Sequence, residues 1–219
     1  AYQHRSSMKG TLAAAMIEMV GWQGDGLLVD PMAGGGTLGI EAAWWLHEVP
    51  PARLVFHELL LHRTPPLASK RWPRLVPDTP LPDHGWPCED PHIVLSEIHE
   101  PHLPGAEENA RKAGVHGCIR FEQGPVNTLA DRVERCSALV ANPPYGLRSS
   151  SPKEADQVLV DLFAQAQVCL EPEGKIGLMT PDLDLVTRRG GQAGFQVEQA
   201  LPVHHGKLEI QLIVLVRDR

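Results

Sequence analysis

A strand that cannot continue constrains this chain more than any other feature. Ala138-Leu139-Val140-Ala141 is an apolar run that reads as a buried strand, and Asn142-Pro143-Pro144-Tyr145-Gly146 follows it directly. Two consecutive prolines donate no ladder hydrogen bonds, so the strand stops there. The stop leaves an amide side chain, a proline carbonyl and an aromatic ring at the strand's carboxyl end, where ligands bind in open α/β sheets. The Asn142 amide oxygen and the Pro143 carbonyl are two acceptors for the two hydrogens of an NH2 group. Tyr145 beside them is a flat ring that could stack on the base carrying that group. A plain turn after a strand is the competing explanation, and the rest of the chain decides between them.

A second turn points the same way. Leu27-Leu28-Val29-Asp30 is a short buried strand running into Pro31-Met32-Ala33-Gly34-Gly35-Gly36-Thr37, after which residues 38–46 read as a helix. Strand, glycine-rich turn and helix is the nucleotide-site arrangement: glycines let the backbone pass close to a ligand, and the helix amino end favours an anionic group. No Gly-Lys-Ser/Thr follows, so this is not a P-loop. Gly34, Gly36 and Gly39 match the dinucleotide spacing, which alone is weak. The Asp30-Pro31 pair is unusual in dinucleotide folds and common in methyltransferases. The strand Ile93-Val94-Leu95-Ser96-Glu97 ends in an acid placed to accept two ribose hydroxyls, with the usual spacing stretched by residues 48–92.

Around these two turns the chain alternates. A helix with a Ser6-Ser7 cap is expected over 8–20 and stops at Gly21; further helices are expected at 104–114, near 127–133 and at 154–170. Strands are expected at 118–122 and 175–180. Two more, 195–201 and 208–216, are joined by residues 202–207 as an antiparallel hairpin. The expected fold is therefore α/β: a Rossmann-like, seven-stranded, mostly parallel sheet with an antiparallel carboxyl-terminal hairpin. That layout is the one used by class I methyltransferases that take S-adenosyl-L-methionine. One domain over residues 1–219 is expected, with a proline-rich insertion at 48–92 on the sheet's functional edge. Within the insertion Arg53, Arg63, Lys70, Arg71 and Arg74 surround Trp72, either a nucleic-acid contact or a solvated loop.

Composition narrows the classes. A net charge of −7 argues against gripping nucleic acid over the whole surface. No apolar run reaches the ~20 residues that span a bilayer, and the expected location is the cytoplasm. Cys88, Cys118, Cys136 and Cys169 are scattered without a CxxC pair, as expected of reduced thiols. His84-x3-Cys88-x3-His92 has a metal-like spacing but lacks a clear fourth ligand, so no metal is assigned.

Read together, Tyr2-x-x-Arg5, Thr11-Leu12-Ala13-Ala14-Ala15-Met16, Asp30-Pro31-x-x-Gly34-x-Gly36-Thr37-x-x-x-Glu41-Ala42-Ala43, Asn109-Ala110-x-x-Ala113-Gly114 and Asn142-Pro143-Pro144-Tyr145-Gly146-x-Arg148 resemble, in order, the catalytic domain of the THUMP-associated RNA methyltransferases. The resemblance implies methyl transfer from S-adenosyl-L-methionine to the exocyclic N2 of a guanosine in tRNA or ribosomal RNA. It also implies a THUMP domain, outside these residues, that captures the RNA. It assigns catalysis to Asn142, Pro143, Pro144 and Tyr145, and substrate contacts to Tyr145, Arg148 and Arg5. Cofactor contacts fall to Asp30, Pro31, Gly34, Gly36, Thr37, Glu97, Asn127 and Asn142. One departure stands out. Where the family carries an acid for the adenine amino group, this chain has Gln123-Gly124-Pro125, leaving the task to backbone near Val126 or to Asn127. The same Asn-Pro-Pro-Tyr logic serves N6-adenine DNA methyltransferases and protein-glutamine methyltransferases. Pro125 also fits a non-catalytic RNA-binding subunit with a decayed cofactor site. A nicotinamide-dependent oxidoreductase would explain the glycines but not Asn142 to Tyr145.

Overall fold

The computed structural model of this chain describes residues 8–49, 86, 88, 90–146 and 151–218. Tyr2, Arg5, the Ser6-Ser7 cap, the basic cluster around Trp72, His84 and Arg148 lie outside the described residues. Along the chain come α1 (Gly10–Val20), β1 (Leu28–Asp30), α2 (Thr37–Leu46), β2 (Ile93–Glu97), α3 (Leu103–Lys112), β3 (Ile119–Gln123) and β4 (Cys136–Ala141). They are followed by α4 (Pro152–Cys169), β5 (Leu170–Thr180), α5 (Leu183–Gln192), β6 (Phe195–His205) and β7 (Leu208–Arg217). The seven strands form one sheet in the order β3-β2-β1-β4-β5-β7-β6. β1 to β5 are parallel, and β7 runs antiparallel to both its neighbours.

Alternation along the strands builds three layers, because successive side chains point to opposite faces. Leu28, Ala138, Val140, Leu212 and Val214 belong to one buried cluster, with Met16 and Ile17 of α1 and Ala42 and Ala43 of α2. Val29, Leu139, Ala141, Ile213 and Leu215 belong to the other, with Leu159, Leu162 and Phe163 of α4 and Val186 of α5. Both faces of the sheet are thus covered, as parallel sheets require.

The crossovers set the site. From β1 the chain moves outward through β2 to β3, then returns to place β4 on the other side of β1. This reversal makes the gap between β1 and β4 the topological switch point, open at the carboxyl ends of the strands. Asp30, Glu97 and Ala141 are the last residues of their strands.

Several expectations shift. The first helix begins at Gly10 with Lys9 in the capping position and no side-chain cap. Its end is as expected, at Gly21 with φ 71° and its N–H on the Glu18 carbonyl. The segment near 127–133 forms 3-10 turns over Val126–Asp131 rather than an α-helix. α5 was not expected from the sequence. Asp182 caps it by accepting from the Leu185 N–H at 2.9 Å, and Gly190 is needed because a Cβ there would lie 2.8 Å from Leu215 Cδ2. The hairpin loop shortens to Gly206-Lys207, with His205 pairing Leu208.

The expected placement of 48–92 concerns a stretch of which residues 50–85, 87 and 89 lie outside the described residues. α2 runs back from the ligand-bearing edge, and β2 must start from the opposite one, so both described ends of this connection sit at the amino-terminal edge of the sheet. Cys88 and Cys118 form a disulfide instead of remaining reduced thiols. The reason is topological: the adjacent starts of β2 and β3 bring together cysteines 30 residues apart. Cys136 and Cys169 are free and buried. No helix among the described residues is long and apolar enough to cross a membrane.

Leu139 lies in the central strand with no exposed surface. Leu139→Ala is expected to lower the free energy of unfolding by about 2–5 kcal/mol, read as a shifted urea midpoint at unchanged slope.

Candidate active site

The glycine turn is held by neighbouring strands before any ligand is considered. Asp30 Oδ1 accepts from the Met32 N–H at 3.0 Å, and the Ala33 N–H donates to the Ser96 carbonyl at 3.0 Å. Gly34 and Gly36 take left-handed backbone, φ 52° and 82°, which an L side chain adopts at a cost. Gly36 is also the N-cap of α2, which Thr37 opens. A Cβ at Gly36 would press on Ala106 Cβ at 3.3 Å and Leu95 Cδ1 at 3.4 Å. Gly39, the third glycine of the dinucleotide spacing, has a packing role: a Cβ there would meet Leu95 Cδ2 at 2.6 Å. Asn109 Nδ2 donates to the Gly35 carbonyl at 3.0 Å, tying α3 to the turn.

Glu97 closes the same region. Its Oε2 accepts from the Gly34 N–H and its Oε1 from the His99 N–H, each at 2.9 Å. His102 Nδ1 stands 3.8 Å from Oε1. The carboxylate is buried, with 6% of the residue exposed. Asp30 is buried more deeply still. Burial pushes its carboxyl up to about 7; the Met32 amide pulls the other way and the Glu97 charge adds to the rise. Burial alone lifts Glu41, on α2 against the start of α1, to about 7 as well.

The Asn142 to Gly146 segment leaves β4 beside β1, across the switch point from the glycine turn. Pro143 is buried and Asn142, Pro144 and Tyr145 are half-buried. The Tyr145 hydroxyl donates to Asn142 Oδ1 at 2.5 Å. That bond fixes which end of the Asn142 amide is the acceptor. Burial raises the Tyr145 phenol, which keeps it protonated and donating.

The structure thus brings Asp30, Pro31, Gly34, Gly36 and Thr37 together after β1 and Glu97 against them from the tip of β2, with Asn142, Pro143, Pro144 and Tyr145 just past the end of the adjoining β4. Arg5 and Arg148 lie outside the described residues, and Asn127 is exposed on the 3-10 turn after β3. Arg132 was not legible as part of this region. Its Nη2 donates to the Pro125 carbonyl at 3.0 Å and to Ser96 Oγ at 3.2 Å. Its Nη1 reaches Thr128 Oγ1 at 2.6 Å and the Thr128 carbonyl at 3.0 Å. The guanidinium thus braces the loop at Pro125. Nothing in the spacing of Arg132 announces this; only the fold makes the contact.

The Asp30 shift gives a pH prediction with a definite sign. Its folded value is raised from 3.8 to about 7, so its contribution to stability is full below about pH 4 and is lost as pH rises through about 7. Asp30→Asn keeps the acceptor for Met32 and removes the charge. It is expected to stabilise the fold relative to the parent at about pH 8, by up to about 4 kcal/mol, and to change little at about pH 4. Thermal melts of both proteins across that range check it.

Comparison with known proteins places this geometry. Residues 1–211 match the family described as the RMKL-like methyltransferase domain, UPF0020. The chain is 22% identical over 221 residues to a tRNA (guanine(6)-N2)-methyltransferase of Methanocaldococcus jannaschii, covering 98% of this chain and 55% of that protein. It is 24% identical to the enzyme of the same name from Archaeoglobus fulgidus, over 98% of this chain and 50% of that one. A ribosomal RNA large subunit methyltransferase K/L of Vibrio parahaemolyticus is 33% identical over 147 residues, 66% of this chain and 20% of that protein. The chain thus spans about half the length of the archaeal relatives. Among solved structures, TrmN from Thermus thermophilus superposes with a TM-score of 0.69 at 22% identity, over 97% of this chain and 50% of that one. The SMU.472 protein, complexed with SAH, gives 0.71 at 22% identity, over 100% of this chain and 55% of that one. These structural likenesses speak for the fold, a seven-stranded, mostly parallel sheet with an antiparallel carboxyl-terminal hairpin, as expected from the sequence. With its switch-point turn and its Asn-Pro-Pro-Tyr segment inside the matched span, this chain belongs to the RMKL-like methyltransferase domain family.

Proposed function

We propose that this chain transfers a methyl group from S-adenosyl-L-methionine to the exocyclic N2 of a guanosine in tRNA or ribosomal RNA. The observation that carries the proposal is the placement of Asn142 to Tyr145 just past the carboxyl end of β4, next to β1 and its Gly34–Gly36 turn, with the buried Glu97 carboxylate at the tip of β2. The family supports methyl transfer, and the names of the curated relatives support guanine N2 in RNA.

The residues present fit the cofactor. Glu97 engages two backbone amides, and a carboxylate offers about four lone-pair sites, so acceptors remain for two ribose hydroxyls. The Gly34–Gly36 backbone can approach a ligand closely. The adenine would rest on the loop of Pro125 and Val126, with Asn127 at its rim; Arg132 ties that loop to β2 through the Pro125 carbonyl and Ser96 Oγ. Bound there, S-adenosyl-L-methionine supplies a sulfonium methyl already activated for transfer.

The chain's own task is the nucleophile. A guanine amino group shares its lone pair with the ring and attacks poorly. Asn142 Oδ1 and the Pro143 carbonyl would accept its two hydrogens, which favours a pyramidal nitrogen and stabilises the positive charge that develops. The Tyr145 hydroxyl, already on Asn142 Oδ1, orients that acceptor, and its ring offers a stacking surface for the base. Arg5 and Arg148 are proposed substrate contacts. We further propose that these residues form a single methyltransferase domain and that a THUMP domain outside them captures the RNA, which fits the acidic charge and the half-length match to the relatives.

Incubation with labelled S-adenosyl-L-methionine and total RNA, followed by nucleoside analysis, is expected to yield labelled N2-methylguanosine. Label in DNA or in protein glutamine instead would overturn the substrate class. Asn142→Ala is expected to cost about 10²-fold or more in transfer, with cofactor binding by calorimetry nearly unchanged. Glu97→Ala is expected to weaken cofactor binding itself.

A further inference from the structure

A second cluster of reactive side chains lies at the opposite edge of the sheet, with no part in the chemistry above. His47 follows the end of α2, Cys88 precedes β2, and Cys118 ends the turn before β3. His47 Nε2 is 3.2 Å from Cys118 Sγ and 3.5 Å from Cys88 Sγ. All three donor atoms lie within 4.8 Å of one another. Cys118 is fully buried, whereas His47 and Cys88 are half-buried. The His47 ring stacks on Trp86 at 5.6 Å between centroids, and the Trp86 N–H donates to the Gly114 carbonyl at 2.8 Å, so the imidazole is held in place.

The distances suit a metal better than a hydrogen-bonded histidine alone would require. Zinc–sulfur bonds of about 2.3 Å and zinc–nitrogen bonds of about 2.0 Å in a tetrahedron put nitrogen and sulfur about 3.5 Å apart and the two sulfurs about 3.8 Å apart. The nitrogen–sulfur separations are already near that value. Only the sulfurs, joined here as a disulfide, must part, by side-chain rotation. Two thiolates and an imidazole are a borderline-soft donor set of the kind zinc prefers.

We propose that the reduced chain holds one zinc ion on Cys88, Cys118 and His47, with water in the fourth position, and that the disulfide is the metal-free, oxidised form of the same site. A dithiol reductant delivers two electrons and two protons to the sulfur–sulfur bond and is itself oxidised to a disulfide. The two thiols then release their protons to solvent as zinc binds, and His47 contributes the Nε2 lone pair with its proton on Nδ1. The ion joins the ends of α2, the connection and the β2–β3 edge, which is the position of a structural clamp. The sequence offered a different trio, His84, Cys88 and His92; the fold supplies His47 and Cys118 from elsewhere in the chain.

The test uses the reduced 219-residue chain with zinc or cobalt salts alone. After reduction and removal of excess metal, one zinc per chain is expected, and the cobalt form should show thiolate-to-metal charge-transfer absorption. The oxidised chain should bind neither. Cys88→Ser should abolish the charge-transfer band's two-sulfur intensity, and His47→Gln should weaken zinc affinity at least tenfold. Both positions are half-buried, so these variants are expected to fold even where Cys118→Ser does not. A reduced chain that binds no zinc, or variants that bind it as tightly as the parent, would overturn the proposal. Metal content is read without any methyl transfer, so failure here is separable from failure of the proposed function.

Discussion

One carboxylate ties the site together. Glu97 accepts from the Gly34 and His99 amides at once, so the tip of β2 holds the turn that follows β1. A glycine-rich turn is entropically costly to order. Here its conformation is imposed from outside, by Glu97, by the Ser96 carbonyl and by Asn109. Each anchor depends on β1 and β2 lying side by side in the observed register. Preorganisation of this kind is what a cofactor pocket requires.

That dependence brings a cost which the site accepts. Asp30 and Glu97 are acids placed where water is scarce, and Asp30 is raised to about 7 as a result. A buried carboxyl shifted this far beside a glycine-rich turn marks a candidate functional site. The polar anchors and the aliphatic core are separated in space: the buried strand residues are mainly Leu, Ile, Val and Ala, and the two buried acids, Asp30 and Glu97, sit at strand tips.

Most of the architecture was legible because local and global signals agree. Successive strand residues sort their side chains into two clusters, one on each face, and the continuous apolar runs are what a sheet buried on both faces requires. The failures share a cause. α5 was hidden because Gly190 looks like a helix breaker until Leu215 is seen pressed against it. Arg132, the Cys88–Cys118 bond and the His47 cluster all join residues distant in sequence, and no periodicity encodes such contacts. The acids Asp30 and Glu97 were legible because each sits where a buried strand must end. The roles of Arg5 and Arg148 stay at the level of the sequence, since both lie outside the described residues.

The connection from α2 to β2 leaves and re-enters the domain at the edge away from the site. For a flexible segment, closing a longer loop costs only about 0.6 kcal/mol for each doubling of its length. Residues added between those two ends therefore cost the fold little in closure entropy. A chain built this way can vary in length at one edge while its chemistry at the other stays in register, which makes this connection the natural place for the domain to acquire new sequence.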